Sequence, residues 1–151
     1  VELNSLLANI IDALEAVAEE RQHRLRAPNG VADPVTVRGD RRLLNQLFVN
    51  LIENAILHCP PASDIEVELV SDAHRPIVRV RDTGPGIPVE EREKVFRRLY
   101  RLEKSRTTRG SGLGLSLVAA IAELHSAKVT LADNKPGLVA EIIFDQTPRV
   151  G

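Results

Sequence analysis

Only one cysteine, Cys59, occurs in the sequence. That excludes an internal disulfide, argues against a metal cluster, and fits a reducing compartment. No uncharged apolar stretch approaches the roughly 18 residues that a membrane-spanning helix requires. A secretory leader pattern is missing too. The first residue is Val1 and not Met, so the chain is expected to be a fragment of a longer polypeptide. There are no repeats and no low-complexity segment. Neither sign of charge dominates: 20 Lys and Arg against 21 Asp and Glu give a net charge of −1. Bulk charge therefore offers no argument for nucleic acid or membrane as a partner. Also missing are a G-x-x-x-x-G-K-[ST] phosphate loop and a G-x-G-x-x-G turn led by a strand.

What remains is an ordinary soluble composition, 43% apolar and 27% charged over 151 residues, enough for one domain with a real core. From residue 3 to 21 the apolar positions Leu6, Leu7, Ile10, Ile11, Leu14 and Val17 have helical spacing. The run Ala27-Pro28-Asn29-Gly30 is expected to stop regular structure. Residues 35 to 38 read as a short strand. Asp40 is a good N-cap for a helix from about Arg41 to His58, with Leu44, Leu47, Phe48, Leu51 and Ile52 on its apolar face. Pro60-Pro61 ends it.

Residues 65–70 and 77–82 alternate apolar and polar, predicting two strands joined by a hairpin loop at 71–76. A third helix is expected over about 113–125, then strands at 128–132 and 138–144. Strands in adjacent pairs argue for a mostly antiparallel or mixed sheet with helices layered on one face, and against a doubly wound fold.

Residues 80 to 115 organise the rest. Two glycine-rich turns, Asp82-Thr83-Gly84-Pro85-Gly86-Ile87-Pro88 and Gly110-Ser111-Gly112-Leu113-Gly114-Leu115, bracket a segment that holds eight of the 20 Lys and Arg. Glycine lets a backbone approach a ligand closely. A turn leading into a helix N-terminus offers unpaired N–H groups suited to phosphate. The second helix adds Asn50 and Asn54, one turn apart, with Glu53 beside them. Two carboxamides supply neutral oxygens of the kind Mg²⁺ accepts alongside phosphate and water.

Taken in order, these segments resemble the ATP-binding domain of histidine kinases. Asn50-Leu51-Ile52-Glu53-Asn54-Ala55 looks like its N box and the first glycine turn like its G1 box. Val95-Phe96 is similar to the F box, the second glycine turn to the G2 box, and Asp133-Asn134-Lys135-Pro136-Gly137-Leu138 to the late glycine turn. The match runs from about Leu3 to Phe144.

The resemblance implies a single domain over 1–151 with the Bergerat fold. That is an α+β, two-layer sandwich with a mixed, mostly antiparallel sheet of about five strands and three main helices on one face. It further implies ATP and Mg²⁺ as cofactors. Asp82 would accept a hydrogen bond from the adenine amino group, with Gly84, Gly86 and Ile87 close to the base. Asn50 and Asn54 would hold Mg²⁺, and Glu53 would orient or activate nearby groups. His58 and Phe96 would lie by the nucleotide. Residues 97 to 111 would form a lid, with Arg106 and Arg109 reaching the phosphates. Gly110, Ser111, Gly112, Leu113, Gly114 and Leu115 would cradle the triphosphate. Of these, Glu53, Asn50 and Arg106 are the expected catalytic residues. The chain departs from the family at Leu57, where a Lys is common, so some of the triphosphate stabilisation would be lost or moved to the lid arginines.

The family passes the γ-phosphate to a histidine on a separate helical hairpin. None of His23, His58, His74 and His125 has the expected acceptor context, so surface or packing roles are expected, with His58 the one plausible site member. Implied partners are the protein's own dimerisation and histidine domain, absent from this chain, and a downstream response regulator. Nucleic acid and direct membrane contact are not expected. The fragment would be a monomer and the cytoplasmic part of a membrane-bound sensor, and the full-length protein a homodimer. The competing readings are a catalytically degenerate ATP-binding scaffold and an anti-sigma-type serine kinase.

Overall fold

The computed structural model describes residues 1–30, 33–72, 75–84, 89–91, 113–134 and 136–145. Among these residues the elements run α1 (Leu3–Glu20), β1 (Arg24–Gly30), α2 (Arg41–His58), β2 (Asp64–Asp72), β3 (Arg75–Asp82), a short 3-10 turn (Val89–Glu91), α3 (Leu113–Leu124), β4 (Ala127–Asp133) and β5 (Leu138–Phe144). The five strands form one sheet in the order β1-β2-β3-β5-β4. β1 is parallel to β2, and every other pairing is antiparallel. This is the expected mixed α+β arrangement.

The three helices cover one face of the sheet. Each contributes the side its apolar spacing marks out: Leu6, Leu7 and Ile10 from α1, Leu47, Phe48 and Ile52 from α2, and Val118, Ile121 and Ala122 from α3. They meet Ile65, Val67, Val78, Val80 and Ile142 from the sheet, and Phe48 packs at a tilt on Phe144 with ring centroids 6.4 Å apart. The other sheet face is mixed, with Val70, Ile77 and Ile143 in a cross-strand row beside a charged row. There Arg79 bridges Glu68 at 2.7 Å and Glu141 at 2.6 Å, and Arg81 reaches Glu68 at 2.6 Å. Cross-strand ion pairs of this partly exposed kind contribute little each.

Two expectations fail. The run Ala27-Pro28-Asn29-Gly30 does not stop the chain; it lies inside β1. The parallel register passes from Arg26↔Glu66 to Asn29↔Glu68, so Ala27 and Pro28 stand opposite Val67 alone. That bulge at a sheet edge accommodates a residue with no N–H. Residues 35 to 38 form no sheet strand. Thr36 makes an isolated bridge to Glu2, Leu3 N–H donates to Val35 O at 2.8 Å, and Val37 N–H donates to Val1 O at 2.9 Å. Their partner segment gives way to α1 within two residues, too soon for a ladder to grow.

Helix α2 is fastened at both ends by buried histidines. At its start, Asp40 Oδ1 accepts from Arg42 N and Leu43 N at 2.8 and 3.2 Å, the expected cap. Asp40 N–H in turn donates to His125 Nε2 at 3.0 Å, while His125 Nδ1 lies 2.8 Å from Ile121 O. At its end, His23 Nε2 lies 2.9 Å from Ile56 O, and His23 Nδ1 accepts from Ser63 N at 3.2 Å. Each ring donates from one nitrogen and accepts at the other, the pattern of a neutral imidazole. Both are packing residues, as expected.

Candidate functional site

The centre of the site is Asp82, the last residue of β3. Just beyond it, Thr83 N–H donates to Asp64 O at 3.2 Å and Asp64 N–H donates to Thr83 Oγ1 at 2.9 Å, which fixes the exit from the strand. Asp82 is buried, with 8% of its surface exposed. Its Oδ1 accepts from Gly84 N at 3.0 Å and from Leu138 N at 3.2 Å. Its main-chain carbonyl accepts from Asn134 Nδ2 at 2.7 Å. Burial pushes the Asp82 carboxyl above the usual carboxylate value, and the Gly84 and Leu138 amides and the Cys59 thiol offset part of that rise.

Two glycines let this arrangement close. A Cβ on Gly84 would sit 2.7 Å from Cys59 Sγ. Gly137 has φ +109°, and a Cβ there would overlap the Asp82 carbonyl oxygen. Cys59 is buried at the C-cap of α2. Its thiol is pushed up to about 12, by burial first and then by the Asp82 charge.

Helix α2 supplies the polar flank. Asn50 and Asn54 are half-buried and Glu53 is exposed. His58, the last residue of the helix, is half-buried, and burial followed by the Arg21 charge lowers its pKa, keeping the ring neutral at pH 7. Arg21 Nη2 also donates to Leu57 O at 3.1 Å.

Helix α3 supplies the third side. Its C-terminal end is tied through His125 to the start of α2, so the two packed helices run in opposite directions. Its 12 residues span about 18 Å along the packed pair. The N–H groups in the first turn of a helix are of a kind that suits an anion. Leu113 and Gly114 open the helix, and Leu115 packs partly buried against the core.

The chemistry of this donor set fits both expected cofactors. A buried carboxylate with one oxygen already saturated suits an exocyclic amino group. Among the described residues no group of three His, Cys, Asp or Glu could hold a metal ion. The carboxamide oxygens of Asn50 and Asn54 are of a kind that Mg²⁺ accepts alongside phosphate and water.

Gly86, Ile87, Phe96, Arg106, Arg109, Gly110, Ser111 and Gly112, with the rest of the expected lid at 97–111, lie outside the described residues. Sequence reasoning left Cys59, Asn134, Gly137 and Leu138 out of the candidate set. The late glycine turn was the signal for the last three, but it did not say that the turn closes on Asp82.

A family model described as "Histidine kinase-, DNA gyrase B-, and HSP90-like ATPase" matches residues 39–148. The sensor protein kinase PmrB of Pseudomonas aeruginosa is 31% identical over 142 residues, covering 94% of this chain and 29% of that protein. The sensor histidine kinase HprS of Escherichia coli is 37% identical over 128 residues, 85% of this chain and 27% of that protein. The chain thus spans under a third of the length of these curated relatives. Among solved structures, a nucleotide-free catalytic domain of the histidine kinase ThkA superposes with a TM-score of 0.85 at 25% identity, covering 99% of this chain and 97% of that one. With a family model matched over most of its length, the chain belongs to the histidine kinase-, DNA gyrase B- and HSP90-like ATPases, in the branch formed by the catalytic domains of sensor histidine kinases.

Proposed function

We propose that this domain binds Mg-ATP and donates the γ-phosphate to a histidine on a separate dimerisation domain, the first step of a two-component relay to a response regulator. The observation that carries this reading is Asp82, a buried carboxylate held by Gly84 and Leu138 amides at the end of β3. In this proposal its Oδ2 accepts from the adenine amino group, and Gly84 gives the base room. Asn50 and Asn54 contribute the protein's oxygens to Mg²⁺. Glu53, exposed beside them, orients or activates the acceptor side of the reaction. Arg106 and Arg109 neutralise phosphate charge, and the turn Gly110–Leu115 receives the triphosphate at the start of α3. His58, neutral, lies against the nucleotide.

Phosphoryl transfer asks mainly for positioning and charge stabilisation. Mg²⁺, when bound, offsets the negative charge that builds on the phosphate oxygens. Leu57 supplies no cation, so the lid arginines carry that share. Among the described residues no helix is long and apolar enough to cross a membrane. In this proposal the domain is a cytoplasmic catalytic part, monomeric alone and dimeric through a separate dimerisation domain.

Titration calorimetry with Mg-ATP, with and without EDTA, tests the reading. Magnesium-dependent binding is expected, followed by transfer to a separately supplied histidine domain as acid-labile phosphate. No binding at millimolar ATP would reject it.

A further inference from the structure

We propose that Asn134 is a positioning residue for purine selection, acting through Asp82; the inference rests on the adenine reading above. The ladder between β3 and β5 ends at Arg81↔Val139, so Asp82 has no partner in β5. On its other side it still pairs with Ile65 of β2. The Asn134 side chain fills the missing place, its Nδ2 donating to Asp82 O at 2.7 Å. The turn that carries it is closed by Asn134 N–H donating to Gly137 O at 3.1 Å. Leu138, next along, donates its N–H to Asp82 Oδ1 at 3.2 Å. With Gly84 N–H also on Oδ1, both lone pairs of that oxygen are engaged. With the Cys59 thiol also bonded to the carboxylate, a ligand donor is left with the remaining acceptor capacity of Oδ2, whose direction follows from the two anchors on Oδ1 and from the thiol. One anchor belongs to β3's own exit; the other belongs to the β4–β5 turn.

The register between that turn and Asp82 is set by the Asn134 amide and by the contact of Gly137 with the Asp82 carbonyl. Gly137 tolerates no side chain there, whereas Asn134 can be changed with little disturbance because it is half-buried in a turn. Loss of its donor leaves the fold standing and lets Asp82 drift. The amino group of adenine, which needs an acceptor at a fixed place, then loses its advantage over the keto oxygen of hypoxanthine, which does not.

The test is calorimetry of Mg-ATP and Mg-ITP on the wild type, Asn134→Ala and the isosteric Asn134→Asp, with folding checked by circular dichroism. The wild type is expected to prefer ATP. Both variants are expected to lose about threefold to tenfold in ATP affinity, the size of one hydrogen bond, with ITP affinity little changed. Variants that keep the wild-type ATP-to-ITP ratio, whether both affinities fall together or neither falls, would overturn the proposal. A wild type that binds both nucleotides equally, or neither, would remove the adenine reading and this inference with it.

Discussion

Gly137 faces the main-chain carbonyl of Asp82 so closely that a methyl group on its α-carbon would overlap the oxygen. Its φ of +109° is a second reason for glycine. The obstacle is backbone, which cannot swing aside as a side chain can. Gly137→Ala is expected to cost more than about 2 kcal/mol, combining strain with displacement of the β4–β5 turn. A thermal or denaturant melt measures it, and an unchanged midpoint would contradict the close approach.

Asp82 is a carboxylate whose burial raises its pKa above the ordinary 3.8. A raised folded-state value means that folding favours the protonated form. The stability this lends is full below 3.8 and is lost as pH rises through the folded-state value. At neutral pH the ionised group is therefore a burden on the fold. Asp82→Asn keeps an oxygen for the two amide donors and removes the charge, so the variant should melt no lower than the wild type at neutral pH. The difference should shrink as pH falls through the carboxylate range. Its ATP affinity should drop roughly tenfold or more, the value of a charged hydrogen bond. Unchanged ATP binding would take the adenine role away from Asp82.

The Cys59 thiol is pushed up from 9.0 to about 12. It stays protonated, and so unreactive, at mildly alkaline pH. Alkylation followed by mass spectrometry is expected to leave the native protein unlabelled while the denatured chain reacts fully. The raised value also means that the protonated thiol supports the fold below pH 9.0 and that this support fades as pH climbs toward 12. Fast labelling of the native protein would contradict the burial of the thiol.

Gln22 ends α1 in a left-handed conformation, with φ 61°. Gln22 N–H donates to Glu19 O and His23 N–H donates to Ala18 O, both at 2.9 Å, the paired closure in which glycine is favoured at the position Gln22 occupies. Gln22→Gly is expected to stabilise the domain by about 0.5 kcal/mol, the relieved strain exceeding the added chain entropy. A melting-temperature rise of about 1 to 2 °C checks it.

Helix α2 was legible because two independent signals agreed: the Asp40 cap and an apolar face that begins at Leu43 and recurs with helical period. β1 was not. Pro28 and Gly30 are ordinarily stop signals, and only pairing with β2, some 40 residues later, makes an extended strand of them. Residues 35 to 38 show the reverse error, since alternation promises a strand but cannot say how long its partner is. At the site, the motifs pointed to Asp82, Gly84, Asn50 and Asn54, and the structure describes where these stand. Asn134 and Cys59 escaped because their importance lies in contacts across the fold, 52 residues from Asp82 in the case of Asn134. His23 and His125 could be read as packing residues, yet their partners 33, 40 and 85 residues away had to be seen.

The bulge at Ala27 and Pro28 has a consequence for the free border of the sheet. β1 is an outermost strand, and an outermost strand offers its spare amides and carbonyls to any extended chain that passes. A proline has no amide to lend to an incoming strand, and the extra residue breaks the even spacing that such a strand would need to match. The protein thus carries a built-in guard against templated aggregation along β1, at the position where the sequence looked least able to form a strand.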